Sequence, residues 1–242
     1  MPTSKNYLTD FRFFLDRTDE KVILEKAIIG QLPPDKFQSV IDIGAGEGSI
    51  SIPLSKRFSR YLAIEQNNLH ADILRKNNIE VLEKPFPCKI SERFDAVISC
   101  HSISHKPEVY KPFINSAVEI LRPGGSFLLV DFRGRNDSWS SLMQKIDKPS
   151  VAEDEFHVNQ IYSILLSRGE TQWSIVKSKL LTKDLEDMVK SLSFVYSGGD
   201  RKRREYFLSK REIVVNVLKK RHWCDYGYMF IFEHKIINLK LK

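Results

Sequence analysis

The residues best placed to do chemistry lie in the run VIDIGAGEGS, from Val40 to Ser49. Asp42 sits near the end of a β-branched, strand-like stretch. Gly44, Gly46 and Gly48 follow at alternate positions, before a segment that reads as a helix. Glycine at such places allows a tight turn and the close approach of a ligand to the main chain. A helix start just beyond offers unpaired N–H groups to a carboxylate or phosphate. The plainer reading is a structural turn between strand and helix. A dinucleotide loop wants G-x-G-x-x-G or a final alanine, and Ser49 stands there instead. A P-loop is excluded, because no Lys-Ser or Lys-Thr follows the glycines.

These residues need a scaffold, and the flanking sequence supplies an alternation. Ser39–Ile43, Tyr61–Ile64, Glu80–Leu82, Phe94–Cys100 and Ser126–Phe132 read as short strands rich in Val, Ile and Leu. Ser49–Phe58, Leu69–Lys76 and Val109–Leu121 read as helices between them, which predicts a parallel sheet with crossover helices on both faces. Ahead of the sheet, Tyr7, Leu8, Phe11, Phe14 and Leu15 recur at helical spacing, and a second helix runs from Asp19 or Glu20 to Ile29. Beyond Asp131, helices are expected at Ser138–Lys145, Val158–Arg168 and Lys183–Ser191, with strands at Gln172–Leu181 and Tyr226–Ile237. Ser209, with Glu212 three residues on, has the capping-box pattern for a helix to about Arg221. One domain over 1–242 is expected: a helical cap over 1–37, a core over 38–132, and the rest of the sheet over 133–242 with a helical insertion at about 183–222.

Composition sets outer limits. The chain has 242 residues, 42 % of them hydrophobic, an ordinary globular level. The longest run without charge, Phe156–Ser167, is 12 residues, too short to span a bilayer, which takes about 20. The first residues hold no apolar signal core. Cys88, Cys100 and Cys224 lie far apart and suggest neither disulfides nor zinc, so a cytoplasmic protein is expected. The net charge of +7 is local. Residues 1–131 carry 17 basic and 17 acidic side chains, whereas residues 201–221 carry nine basic and two acidic. That segment alone accounts for the whole excess.

With DIGAGEG and the motifs after it, the sequence resembles the class I S-adenosylmethionine-dependent methyltransferases. Glu65 ends the second strand, where that family has an acid on the ribose hydroxyls. Glu83-Lys84-Pro85-Phe86 follows the third, Ser91–His105 resembles the fourth strand and its loop, and Leu121–Phe132 resembles the turn into the fifth. The resemblance implies an α/β, three-layer, Rossmann-like sheet of seven strands, the last antiparallel and inserted beside the fifth. It implies S-adenosylmethionine as cofactor, held by Asp42, Gly44, Ala45, Gly46, Gly48, Glu65, Gln66, Phe86 and Cys100. No metal is implied.

The N-terminal run YLTDFRFFLDRTDE resembles histamine N-methyltransferase and its bacterial-type relatives, with Tyr7, Phe11, Phe14, Leu15 and Glu20 at matching spacing. In that family the glutamate contacts an amine or imidazole substrate. The resemblance therefore implies a small-molecule acceptor, methylated at an amine nitrogen, touched by Tyr7, Phe11, Glu20, His101 and Trp139. His101 stands where the family has a glutamine, and Met143 where it has a second aromatic, so the acceptor differs from histamine. Glu20 could instead be a first-turn glutamate favoured by the helix dipole. His101, His105 and Glu20 are the candidates for handling a proton at the acceptor. Two alternatives stay open: an RNA or protein acceptor docked on residues 201–221, and a non-catalytic protein that only holds the cofactor. Against docking, Ile213, Val214, Val217 and Leu218 recur helically and would turn inward, leaving the cations on a solvated face.

Overall fold

The computed structural model describes residues 5–103, 106–131 and 138–241. Ten helices and eight strands are present among them: α1 Lys5–Leu15, α2 Glu20–Gln31, β1 Ser39–Ile43, α3 Ser51–Ser55, β2 Arg60–Ile64, α4 Asn68–Lys76, β3 Glu80–Leu82, β4 Phe94–Cys100, α5 Pro107–Glu119, β5 Leu121–Asp131, α6 Ser138–Ile146, α7 Lys148–Leu166, β6 Glu170–Thr182, α8 Leu185–Ser197, α9 Arg201–Ser209, α10 Arg211–Arg221, β7 Trp223–Cys224 and β8 Gly227–Lys240. The sheet order is β3-β2-β1-β4-β5-β8-β6, with β7 paired to β8 as a short eighth strand. β1 to β5 run parallel, and β8 is antiparallel to β5 with Val130 opposite Ile236. The expected insertion of the last strand beside the fifth is therefore observed. Among the described residues no helix is long and apolar enough to cross a membrane.

Two compact units divide the chain. The larger comprises Val22–Arg133, Asp154–Val176 and His234–Lys242, and its strands sort their side chains onto two faces, as the two-residue period of a strand requires. Ile41, Ile43, Leu62, Ile64, Val97 and Leu129 meet Tyr110, Phe113, Ile161 and Leu165 of α5 and α7 on one face. Val40, Ala63, Ile98, Leu128 and Val130 meet Leu24, Ile28, Leu54 and Leu74 of α2, α3 and α4 on the other. Both faces are covered, so all five residues of β1 are buried, and such strands read as unbroken apolar runs.

The smaller unit comprises Met1–Lys21, Gly134–Glu153 and Lys177–Glu233. Here α1 lies on α8 through aromatic rings. Tyr7 stacks on Phe11, and both, with Phe14, surround Phe194 at centroid separations of 5.5–6.2 Å. Past the helix, Leu181 N–H donates to Arg17 O and Lys179 N–H to Asp19 Oδ1 (2.6 Å), which fixes the chain beside β6. Tyr196 donates to Asp147 at 2.7 Å. Burial, then that hydrogen bond, pushes its hydroxyl far above the ordinary phenol range.

Three local expectations are corrected. The helix expected at Ser49–Phe58 is only the five residues of α3, too short for the anion-binding helix start the sequence suggested. Ser209 caps nothing; it is the last residue of α9, and its hydroxyl donates to Tyr206 O. Lys210 is the N-cap of α10, without a side-chain hydrogen bond, whereas Asp200 caps α9 through Arg203 N–H. Ile213 is exposed, while Val214, Val217 and Leu218 are buried as expected.

Candidate functional site

The larger unit gathers its polar side chains at the carboxyl ends of β1, β2 and β4. The strand order reverses at this place: the chain moves outward from β1 to β2 and β3, then returns to β4 on the opposite side. Crevices at such switch points are where open α/β sheets take ligands. The three glycines there do different work. All have positive φ, at 76°, 60° and 90°. A Cβ on Gly44 would run into Ser102 Cβ, so the first glycine admits the β4 loop. A Cβ on Gly48 would meet Leu74 and Ile52 at 2.8–2.9 Å, so the third admits helix packing. A Cβ on Gly46 would meet nothing within 4 Å. Gly46 is thus the glycine beside which a side chain would find room, although Gly44 is the most exposed of the three.

Glu65 is held against that glycine. It is 6 % exposed, and its two oxygens accept from Gly46 N–H and Asn67 N–H, each at 2.8 Å. Two backbone donors fix the carboxylate and leave lone pairs on both oxygens, so it can still accept from a vicinal diol. Asp42 is placed differently. It is buried, and its Oδ2 accepts from Ser51 (2.6 Å) and Tyr61 (2.8 Å). Burial raises its carboxyl above the ordinary range despite those two donors. Tyr61 is pushed well up by burial and then by the nearby Asp42 charge. Asp42 thereby braces the strand end against α3 and β2.

The β4 side is tied in the same manner. Ser102 donates to Ile43 O at 2.6 Å and lies 2.7 Å from Ser99 Oγ. His101 has φ of +53°, a left-handed conformation costly for a residue with a Cβ. Its N–H donates to Val130 O. Its ring centroid is 5.4 Å from that of His234 on β8. The antiparallel insertion of β8 brings the two imidazoles together. Cys100 and Ala45 are half-buried, and Gln66 is exposed. Phe86 packs edge-on to Phe113 at 4.9 Å, and Glu83 pairs with Arg75 at 2.8 Å. His105 lies outside the described residues.

The remaining expected side chains belong to the smaller unit. Tyr7 and Phe11 form the aromatic cluster on Phe194. Trp139 of α6 lies 5.8 Å from Phe232, which Phe14 also meets at 6.3 Å. Glu20 is 1 % exposed, and its Oε1 accepts from Lys21 Nζ at 2.6 Å.

Comparison with known proteins adds three findings. A family model described as a methyltransferase domain matches residues 16–164. A fatty-acid O-methyltransferase of Mycolicibacterium smegmatis is 33 % identical over 109 residues, spanning 40 % of this chain and 38 % of that protein. A protein of Methanosphaera stadtmanae named "Probable ribosomal RNA small subunit methyltransferase A" is 29 % identical over 103 residues, spanning 40 % and 34 %. The matched stretch is thus little more than a third of either relative. Among solved structures, YcgJ from Bacillus subtilis superposes with a TM-score of 0.59 at 12 % identity, covering 90 % of this chain and 97 % of that one. A precorrin-8W decarboxylase from Methanobacterium thermoautotrophicum gives 0.52 at 14 % identity, covering 89 % and 88 %. At those identities the structural likeness concerns the fold.

Proposed function

The chain belongs to the methyltransferase-domain family, and on that premise we propose that it transfers a methyl group from S-adenosylmethionine to an amine nitrogen of a small molecule. The observation that carries the cofactor assignment is the Glu65 carboxylate. It is fixed by Gly46 and Asn67 N–H at the end of β2, beside a loop glycine whose Cβ position is clear of other atoms to 4 Å. A buried carboxylate held there suits two ribose hydroxyls, each donating to one oxygen. Gly44, Ala45 and Gly48 shape the loop, Asp42 supports it from below, and Gln66, Phe86 and Cys100 flank the cofactor.

When bound, S-adenosylmethionine supplies an electrophilic methyl group on a sulfonium, which an acceptor lone pair attacks in line while the neutral thioether departs. The protein's part is alignment and exclusion of water, worth roughly 7–11 kcal/mol in favourable intramolecular cases. An amine must present its neutral form, and the nitrogen sheds one proton as it gains the methyl. His101 and Glu20 are assigned to accept or orient that proton, and Tyr7, Phe11 and Trp139 to line the acceptor. Lys21 already neutralises part of the Glu20 charge, so a cationic acceptor competes with it. His105 is the base that a hydroxyl acceptor would need.

The charge on α9 and the start of α10 speaks against docking along the whole of 201–221. Arg201 pairs with Glu205, Arg204 with Asp10 and Arg211 with Glu186. The test is a panel of amines, phenols and carboxylates, including a fatty acid because the mycolicibacterial relative is named for that acceptor. Release of S-adenosylhomocysteine is the readout. Amines are expected to turn over, with Glu20→Gln raising KM for them. Turnover of carboxylates alone, or unchanged amine kinetics in Glu20→Gln, would overturn the amine assignment.

A further inference from the structure

We propose that Lys219–Tyr226, in the smaller unit, is a docking site for single-stranded nucleic acid. The segment uses none of the residues assigned to methyl transfer. The basic residues after Asp200 fall into two groups. The earlier ones, Lys202 apart, are engaged: besides the three ion pairs above, the Arg203 guanidinium lies 5.0 Å over the Tyr196 ring and Lys210 Nζ 5.5 Å over Tyr206. Lys219, Lys220 and Arg221 close α10, are exposed, and meet no carboxylate among the described residues. Two large rings follow at once. Trp223 is 65 % exposed and Tyr226 84 % exposed. Three free cations and two open aromatic faces thus occupy eight consecutive residues.

The segment is also built as a platform. Trp223 pairs across the hairpin with Tyr228, ring edge to face at 5.3 Å. A Cβ on Gly227, at φ +121°, would meet Lys183 O at 2.7 Å, so the hairpin is pressed against the end of β6. His222 N–H donates to Leu218 O and Met229 N–H to His222 O, tying α10 to the hairpin. A rigid surface loses little entropy when something binds it.

The occupant follows from what the surface offers. Cations call for a polyanion, and exposed flat rings call for unpaired bases to stack on; single strands supply both, one phosphate per base. A duplex keeps its bases stacked within itself. An acidic peptide would satisfy only the cations. An anionic bilayer would have to take in Asp225, which sits between the two rings in sequence.

The test is fluorescence anisotropy of the full chain with a labelled oligouridylate across a salt series. Binding is expected at low salt. Replacing Lys219, Lys220 and Arg221 by alanine should flatten the log–log salt slope by about 2, near 0.7 per contact for single strands. Trp223→Ala should weaken binding about 5- to 150-fold, and Trp223→Phe should restore most of it. Arg201→Ala with Lys202→Ala should change neither slope nor affinity. No binding by the unmodified chain, an unchanged slope in the triple variant, or sedimentation with phosphatidylserine vesicles in place of oligouridylate binding would overturn the proposal.

Discussion

At the strand ends of the larger unit, key polar side chains are fixed by hydrogen bonds to nearby backbone or hydroxyl groups. Glu65 takes two amides, Ser102 gives to a strand carbonyl, and Asp42 takes two hydroxyls. In the smaller unit the side chains proposed for the acceptor sit in ring packing: Tyr7 and Phe11 on Phe194, Trp139 beside Phe232. The two methods suit different tasks. Hydrogen bonds to backbone hold an invariant ligand such as a nucleoside in one geometry. Ring packing is set by shape and volume, and a few substitutions can remodel it.

That contrast can be attacked from both sides. The largest expected effect is on the ring-packed side: Phe194→Ala removes the centre of the cluster and should cost about 3–5 kcal/mol of stability in chemical denaturation. S-adenosylmethionine binding should stay within about twofold under native conditions, below 0.5 kcal/mol; a large loss of binding would break the division of labour. Next is Asp42→Ala, which strands the Tyr61 hydroxyl, leaves Ser51 only Ala45 O at 3.5 Å, and should cost about 1–3 kcal/mol. Asp42→Asn keeps an acceptor and removes a charge that burial disfavours, so its cost should be below about 1 kcal/mol. Equal losses in the two variants would mean that the charge itself is needed.

A smaller effect concerns acid. Asp95 carries a partly buried carboxyl that burial alone would raise. Hydrogen bonds from Arg122, from Ser39 N–H and hydroxyl and from Gln38 N–H outweigh that and lower it. A lowered folded value contributes stability above the ordinary aspartate range and loses it as pH falls through the folded value. Urea midpoints should therefore drop between about pH 5 and pH 3, by less in Asp95→Asn than in the unmodified chain. The smallest effect is expected from Arg17→Ala. It breaks a half-exposed pair with Asp187 at 2.8 Å and should cost about 0.2–1 kcal/mol.

The same contrast governs what the sequence made legible. Short-range patterns carried the larger unit: the strand–glycine–helix run, the acid ending β2 and each strand or helix of the alternation show within a few residues of chain. The ties that complete its site do not. Ser102 reaches Ile43, 59 residues away, and His234 reaches His101 only because β8 inserts antiparallel. No spacing rule links such positions. The apolar residues of Ser49–Phe58 fit a helical period, yet only Ser51–Ser55 is helical. Ser209 fits the capping-box spacing, but it already belongs to the preceding helix. In the smaller unit, Phe194 and Phe232 are distant in sequence from the rings they meet, so the N-terminal aromatic stripe was visible and its partners were not.

The central claim is that Glu65, presented by Gly46 and Asn67, binds the ribose of S-adenosylmethionine. Isothermal titration of S-adenosylmethionine into the full chain and into Glu65→Ala tests it directly. Saturable binding to the unmodified chain is predicted, weakened about 10- to 150-fold in Glu65→Ala, as loss of hydrogen bonds to a charged group implies. Absence of binding to the unmodified chain, or equal affinity in the variant, would contradict the account.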